Sequence, residues 1–259
     1  MGRGRIVSLF FTGAGTTKDI VARVCDGIGK SDASFDITPH ASHIDFEFAP
    51  GDIVVIGVPS YGGRVPSFAV KKIAACKGNG AFAVLVVTYG NRDIDDTLLE
   101  LADTAQAVGF KTVAGAAFVA HHSLMTKVAV GRPDEHDFAD IDAFAKGVRE
   151  KLESVENGHD IAVPVFPGKR PYRRFDGVPF CVQTVGGCTS CGLCARVCPT
   201  HAIPEENPAF TDSGRCIACM RCVHECRLGG RAIKGMKYRL AMLSFARKLK
   251  ARQGSRVYL

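Results

Sequence analysis

The sequence predicts an α/β fold with a parallel sheet, followed by a small cysteine-rich domain, and three observations support this. Apolar, β-branched segments alternate with helical patterns through residues 5–155. Residues 158–180 contain four prolines, which interrupt any regular element. Eight of the eleven cysteines then form two short blocks. Strand–helix alternation of this kind implies a parallel sheet with helices on both faces.

The predicted strands are continuous apolar runs, as expected where both faces of a sheet are covered. We predict five strands, in the segments 5–11, 34–40, 51–60, 81–90 and 111–120. Helices are predicted between and after them, in the segments 18–28, 66–77, 93–110 and 136–155. In the first helix, five apolar residues recur on one face, which predicts packing against the sheet: Ile20, Val21, Val24, Cys25 and Ile28.

Composition divides the chain into four parts. We place a sheet domain at 1–157, a linker at 158–180, a cysteine domain at 181–235 and a tail at 236–259. The tail contains no acidic residue, and its apolar side chains recur at helical spacing. A basic amphipathic helix is therefore expected there.

The net charge of +7 is unevenly distributed. From Cys181 onward, thirteen Lys and Arg stand against four Asp and Glu. This surplus favours an acidic partner docking at the C-terminal third. No apolar run is long enough to span a membrane, and the short run near the N-terminus leads into a glycine loop instead of a cleavage site. We therefore expect a cytoplasmic protein.

The two cysteine blocks have identical spacing and indicate an internal duplication. The first block contains Cys188, Cys191, Cys194 and Cys198, and the second contains Cys216, Cys219, Cys222 and Cys226. Clustered cysteines without an export signal favour metal over disulfides. Zinc sites normally use two CxxC pairs separated by a longer loop, or include histidine. Three thiolates in a C-x2-C-x2-C run instead suit one face of a cube of iron and sulfide. Two zinc knuckles are the alternative.

A glycine- and threonine-rich loop follows the first strand and opens the first helix, with the sequence TGAGTT at 12–17. Such a turn can hold a phosphate on backbone N–H groups and on the positive end of the helix dipole. The dinucleotide pattern fails because Lys18 stands where the third glycine belongs, and the P-loop pattern is absent. A hydroxyl-rich loop without a committed positive charge suits one terminal phosphate monoester, the group that FMN carries.

These motifs resemble two known families. The loop is similar to the flavodoxin phosphate loop, with Ala14 in place of a hydroxyl residue, and the segments after the third and fourth strands resemble the flavin-flanking loops of flavodoxin-like proteins. This resemblance implies the strand order 2-1-3-4-5 and FMN at the carboxyl ends of the strands. The implied FMN-binding residues are Thr12, Gly13, Ala14, Gly15, Thr16 and Thr17, then Pro59, Ser60, Tyr61, Gly62 and Gly63, and then Thr88, Tyr89, Gly90, Asn91 and Arg92.

Residues 188–227 resemble the bacterial two-cluster ferredoxins, in which the fourth cysteine of each block binds the other cluster. The implied ligands of one [4Fe–4S] cluster, here called the first set, are Cys188, Cys191, Cys194 and Cys226. Those of the other, the second set, are Cys216, Cys219, Cys222 and Cys198. Pro199 matches the family's closing proline, whereas Arg227 replaces it after the second block. Over residues 5–235 the chain resembles flavodoxin-like proteins fused to such a ferredoxin.

The resemblance implies a soluble electron-transfer protein, or an oxidoreductase, that passes electrons between an acidic one-electron carrier, two [4Fe–4S] clusters and FMN. The alternative is a cluster-containing binding or redox-sensor protein without flavin. For the tail, a helix face packed on its own protein is favoured over a nucleic-acid or membrane-surface contact. We assign His121, His122 and Ser123, after the fifth strand, to substrate access or loop packing instead of catalysis. Cys25 and Cys76 are interpreted as packed thiols, and Cys181 is not needed as a cluster ligand.

Overall fold

A computed structural model describes residues 4–42, 45–156 and 162–259. Its elements, in chain order, are β1 (Ile6–Phe10), α1 (Thr16–Ile28), β2 (Ala33–Asp36), β3 (Ile53–Pro59), α2 (Ser67–Ile73), β4 (Phe82–Tyr89), α3 (Thr97–Ala107), β5 (Lys111–Val119), α4 (Glu135–Glu156), β6 (Gln183–Thr184), α5 (Leu193–Arg196), α6 (Arg221–His224), β7 (Arg231–Ala232), α7 (Met236–Lys248) and β8 (Arg256–Tyr258). No helix among these residues is long and apolar enough to cross a membrane.

The predicted α/β fold is confirmed. The first five strands are parallel and lie in the order β2-β1-β3-β4-β5, as the resemblance to flavodoxins implied. Two apolar layers cover the sheet. Helices α1 and α4 bury their apolar stripes on one face, around Val24 and Phe144, while α2 and α3 cover the other, around Ile73 and Leu98. The carboxyl ends of β1, β3 and β4 consequently open on one edge.

Five strands and a helical tail at 236–259 were predicted, and this was wrong because the tail also contains a strand. The tail forms α7 only as far as Lys248 and then returns to the sheet, where β8 pairs antiparallel with β5. The sheet therefore has six strands. An outer strand leaves a row of unpaired backbone N–H and C=O groups, and the short β8 satisfies part of that row on β5.

The segment predicted as a linker is packed against the sheet domain where the structure describes it, from residue 162 onward; residues 158–161 lie outside the described residues. Phe166 is buried in the core beside the sheet. Arg170 and Tyr172 both bind the Asp103 carboxylate on α3. The described segment therefore runs along one face of the sheet domain before it reaches the cysteines.

The cysteine domain contains two short helices, α5 and α6, and the two-stranded antiparallel sheet of β6 and β7. Its apolar core is shared with its neighbours. Leu124 and Met125, from the loop after β5, pack into it. Tyr238 on α7 also packs there and donates its hydroxyl hydrogen to the Leu124 carbonyl at 2.7 Å. The two domains consequently meet through the loops at the open edge of the sheet.

Candidate flavin site and cysteine sets

A cavity of about 320 Å³ lies at the carboxyl edge of the sheet. Residues from all three predicted loops line it: Thr12, Gly13, Ala14, Thr16, Thr17, Pro59, Ser60, Tyr61, Gly62, Thr88, Tyr89, Gly90 and Arg92. Three predicted residues, Gly15, Gly63 and Asn91, do not line it. Polar loops that converge on one concave site are typical of a cofactor-binding pocket.

The phosphate-loop prediction can be tested on the polar atoms of that loop. Thr12 is fully buried, yet its hydroxyl has no hydrogen-bond partner within the protein. Its backbone N–H is already committed to the Thr38 hydroxyl at 2.7 Å. Gly15, with φ of 87°, precedes the first turn of α1, where no side chain caps the helix. An orphaned hydroxyl beside an uncapped helix N-terminus fits the phosphate of a ligand.

Two of the predicted residues are instead held by the tail. The Tyr89 hydroxyl donates to the Gly254 carbonyl at 2.7 Å. The Asn91 side-chain amide donates to the Leu249 and Ala251 carbonyls, and its oxygen accepts from the Gln253 N–H. Asn91 therefore lies outside the cavity, because its amide satisfies backbone groups of the tail.

Gly15 and Gly63 are likewise covered by other side chains. A Cβ on Gly15 would lie 3.1 Å from the Nε2 atom of His224, from the cysteine domain. A Cβ on Gly63 would lie 2.1 Å from an Asp95 carboxylate oxygen. Both glycines have positive φ values, so a larger residue would also be strained there. Their role in this structure is to allow close packing around the cavity.

The second cysteine block forms one wall of the cavity. Ile217 and Ala218, between two of its cysteines, line the cavity directly. The Tyr61 hydroxyl lies 3.5 Å from the Cys219 carbonyl oxygen. A Cβ on Gly13 would come within 1.9 Å of that same oxygen, so only glycine allows this approach. The backbone of the second set therefore touches the predicted flavin loops.

Side chains across the same interface hold the two domains together. The Arg221 guanidinium forms an ion pair with Asp36 at 2.7 Å and donates to the Thr12 carbonyl at 3.4 Å. The rings of His40 and His201 lie 3.8 Å apart between centroids. Nothing in the sequence marks Arg221 as an interface residue, because no local pattern indicates which distant segment a side chain will meet.

The remaining walls come from segments outside the three predicted flavin loops. Phe175, from the segment before the cysteine domain, packs against Gly62, and Phe245 on α7 lines the cavity as well. The loop after β5 contributes His122, whose Nδ1 atom accepts from the Met125 N–H at 3.2 Å. Burial lowers the pKa of His122 to about 4, with smaller contributions from His121 and Arg92. This ring is neutral at pH 7 and helps to shape the loop, in line with the predicted packing role.

The two cysteine sets differ in exposure. Cys188 and Cys191 of the first set are exposed, whereas Cys198, Cys219 and Cys222 of the second set are buried. Burial and, to a smaller extent, the neighbouring thiols, Cys198 among them, raise the pKa of the Cys219 thiol to about 12. Cys198 therefore lies among the cysteines of the second block, in keeping with the crossed assignment.

The first set shows a similar crossing. The Cys226 sulfur accepts a hydrogen bond from the Gly230 N–H at 3.2 Å. A Cβ on Gly230 would lie 3.3 Å from the Cys188 Cα, so Cys226 and Cys188 flank the same residue. Buried thiols resist ionisation unless positive charge compensates them, which is what iron supplies to its thiolate ligands.

Within the described ranges, no three His, Cys, Asp or Glu side chains converge as one metal ion would require. A cube of four irons imposes wider spacing than a single ion, because each thiolate binds a different iron. The donor set of each group consists of cysteine sulfurs, the ligand type that iron–sulfur clusters use. The cysteines therefore fit the predicted groups.

Comparison with known proteins supports this part of the interpretation. Residues 187–230 match the family described as a 4Fe-4S dicluster domain. The predicted iron–sulfur domain is thereby confirmed. The match covers the cysteine domain and leaves the sheet domain unassigned. No curated protein matches this chain.

Solved structures resemble the sheet domain. A flavodoxin from the domain Archaea is 11% identical over 57% of this chain and 99% of its own, with a TM-score of 0.42. A flavodoxin from Streptococcus pneumoniae is 16% identical over 57% and 99%, with a TM-score of 0.39. A WrbA-like flavodoxin from Agrobacterium tumefaciens is 15% identical over 58% and 98%, with a TM-score of 0.38. Similarity at this level transfers no ligand to this chain, and the fold is established by the strand order itself.

Proposed function

We propose that the protein passes electrons between an external one-electron carrier and FMN through two [4Fe–4S] clusters. One observation carries this proposal: the second cysteine set lies against the cavity, while the first set faces solvent. When bound, FMN exchanges electrons singly or in pairs, and a [4Fe–4S] cluster exchanges one at a time. The order of sites along the protein then runs from surface to first set, second set and cavity.

FMN is the proposed occupant of the cavity. Thr12, Thr16 and the N-terminus of α1 would hold its phosphate, and the unpartnered Thr12 hydroxyl supports this placement. The loops around Tyr61 and Gly90 would flank the ring system. Phe175 and the second cysteine block would limit the access of water from the side of the cysteine domain.

The proposed carrier is an acidic redox protein, and the surroundings of the first set support this. The exposed Arg196 donates to the Cys191 carbonyl at 3.4 Å, and the exposed Arg227 directly follows Cys226. Leu228 beside it is also exposed and offers an apolar contact. Complementary charge accelerates encounters between such partners and makes them dependent on salt. A cytoplasmic location remains part of this proposal.

The test is an analysis of protein purified without oxygen, with iron, sulfide, zinc and flavin measured on one sample. We expect about eight irons, eight sulfides and one FMN per chain. Iron and sulfide without flavin, even after FMN is added, would contradict the flavin site and favour a cluster-containing sensor. Zinc in place of iron would contradict the cluster assignment.

A second measurement addresses the carrier. Reduction of the protein by an acidic ferredoxin should slow as ionic strength rises, because screening weakens the attraction. The variant Arg227→Glu should reduce that rate further at low salt, whereas Arg23→Glu, on the exposed face of α1, serves as the matched control. A rate that is independent of salt in all three proteins would rule out electrostatic docking at the first set.

A further inference from the structure

Arg231 is a buried cation without an acidic partner in the described part of the chain. Arg231 is 2% exposed, and no Asp or Glu among the described residues forms an ion pair with it. Two guanidinium nitrogens donate to neutral hydroxyls, those of Thr184 at 2.6 Å and Thr211 at 3.0 Å. The third nitrogen, Nε, is buried with no hydrogen-bond partner in the protein. A buried, uncompensated charge is strongly unfavourable.

The position of Arg231 in β7 places it beside the cysteines. The preceding residue, Gly230, donates its N–H to the Cys226 sulfur and packs against Cys188, both of the first set. Thr211, whose hydroxyl accepts from the Arg231 guanidinium at 3.0 Å, lines a small cavity together with the four cysteines of the second set. Arg231 therefore lies beside cysteines of both sets.

We propose that Arg231 is the shared counter-charge of the two iron–sulfur clusters, with its Nε–H directed to a sulfur atom of the clusters or their thiolates. This inference rests on the proposed function, since it requires both clusters to be present. A cluster held by four thiolates carries net negative charge, which is the partner that the buried guanidinium otherwise lacks. Hydrogen bonds to sulfur and local charge are established means of setting cluster potentials.

Arg231 is thus a positioning residue that favours the reduced state of each cluster. Reduction adds one electron and one negative charge, and a fixed positive charge in a poorly hydrated interior stabilises that addition. The two threonine hydroxyls hold the guanidinium in place without neutralising it, because both are uncharged acceptors. A carboxylate in their position would cancel the effect.

The experiment is an anaerobic redox titration of the full chain carrying its clusters, followed by electron paramagnetic resonance. In Arg231→Gln we expect both clusters to show about a tenfold lower ratio of reduced to oxidised form at a fixed potential. For one electron this corresponds to a shift of about 59 mV to more negative potential. Lys234→Gln, which removes one positive charge at an exposed position three residues along the chain, should leave both potentials unchanged.

Arg231→Lys keeps the charge and removes Nε, so the reduction potentials of its clusters should stay close to those of the parent protein. It also gives a readout that a purely structural role would not change. In protein labelled with ¹⁵N-arginine, the reduced clusters should show a ¹⁵N hyperfine coupling that Arg231→Lys abolishes. If Arg231→Gln fails to retain iron, the comparison between the parent protein and Arg231→Lys carries the test.

Three outcomes would overturn the inference: unchanged potentials in Arg231→Gln, an equal shift in Lys234→Gln, or ¹⁵N couplings that are identical in the parent protein and in Arg231→Lys. Absence of iron and sulfide from the parent protein would instead refute the proposed clusters themselves. The two failures are therefore distinguishable in the same set of samples.

Discussion

The first cysteine set contains two exposed cysteines, Cys188 and Cys191, whereas Cys198, Cys219 and Cys222 of the second set are buried. The two blocks of sequence have the same spacing. Their surroundings differ because the loop of the second block is pressed against the sheet domain through Cys219 and Arg221. An internal duplication has thus been placed asymmetrically. The same cysteine spacing can therefore occur twice while the two sets have different surroundings. The first set faces solvent, and the second set faces the cavity.

The largest effect that we expect comes from breaking the buried set. Cys219→Ser should lose about half of the iron and also most of the FMN, because its loop forms a wall of the cavity. Cys191→Ser, in the exposed set, should lose a similar share of iron but keep its flavin. Iron and flavin analysis of both variants checks this, and equal flavin loss in the two would show that the asymmetry has no consequence.

The rate at which iron is removed should also differ between the two cysteine sets. A chelator added to the oxidised protein should release iron in two phases, the faster from the first set, because a chelator reaches exposed sulfur more readily than buried sulfur. We expect the rates of the two phases to differ several-fold. The loss of cluster absorbance with time measures both rates. Partly unfolded protein in denaturant is the control, in which the phases should merge. A single phase in the folded protein would contradict unequal access.

A smaller effect is expected at the ion pair across the interface. The Arg221 side chain is 13% exposed and that of Asp36 is 26% exposed. Arg221→Met should therefore lower the free energy of unfolding by about 1–2 kcal/mol, between the values for surface and buried pairs. Arg23→Met, which breaks the exposed pair with Asp142, should cost less than about 1 kcal/mol. Urea unfolding measures both, and a double-mutant cycle with Asp36→Asn isolates the pair.

The smallest expected effect is a dependence of stability on pH, caused by His122 in the lining of the cavity. The pKa of His122 is about 4 in the folded protein because of burial, against 6.5 ordinarily. Its contribution to stability is therefore complete above pH 6.5 and is lost as the pH falls towards 4. Between pH 7.5 and 5.5 we expect a loss of about 1 kcal/mol, which His122→Gln should remove.

The exposed His136 on α4 provides the control for this pH effect. His136→Gln should retain the parent dependence of thermal unfolding on pH. A parent-like slope in His122→Gln would assign the acid sensitivity to another group. His40, at the interface with the cysteine domain, is the next candidate, since burial and nearby His201 and Lys72 lower its pKa.

Much of the fold was predictable because its signals are local. Continuous apolar runs indicated β1, β3, β4 and β5 to within a few residues, and the stripe around Val24 indicated the buried face of α1. The strand β8 was not predictable in the same way. Three residues, Arg256–Tyr258, carry too little pattern, and their pairing with β5 depends on an edge more than a hundred residues away.

The features of the candidate site likewise divide into those set by local sequence patterns and those set by tertiary contacts. The spacing of the cysteines and the loop from Thr12 to Thr17 determined which chemistry to expect, because metal and phosphate binding use short, contiguous patterns. Tertiary structure alone decided that Asn91 binds the tail, that Arg221 meets Asp36, and that the second set faces the cavity. Those outcomes depend on which distant segments meet. Contacts of that kind leave no periodic trace in the amino-acid sequence, since they are fixed only when the domains pack.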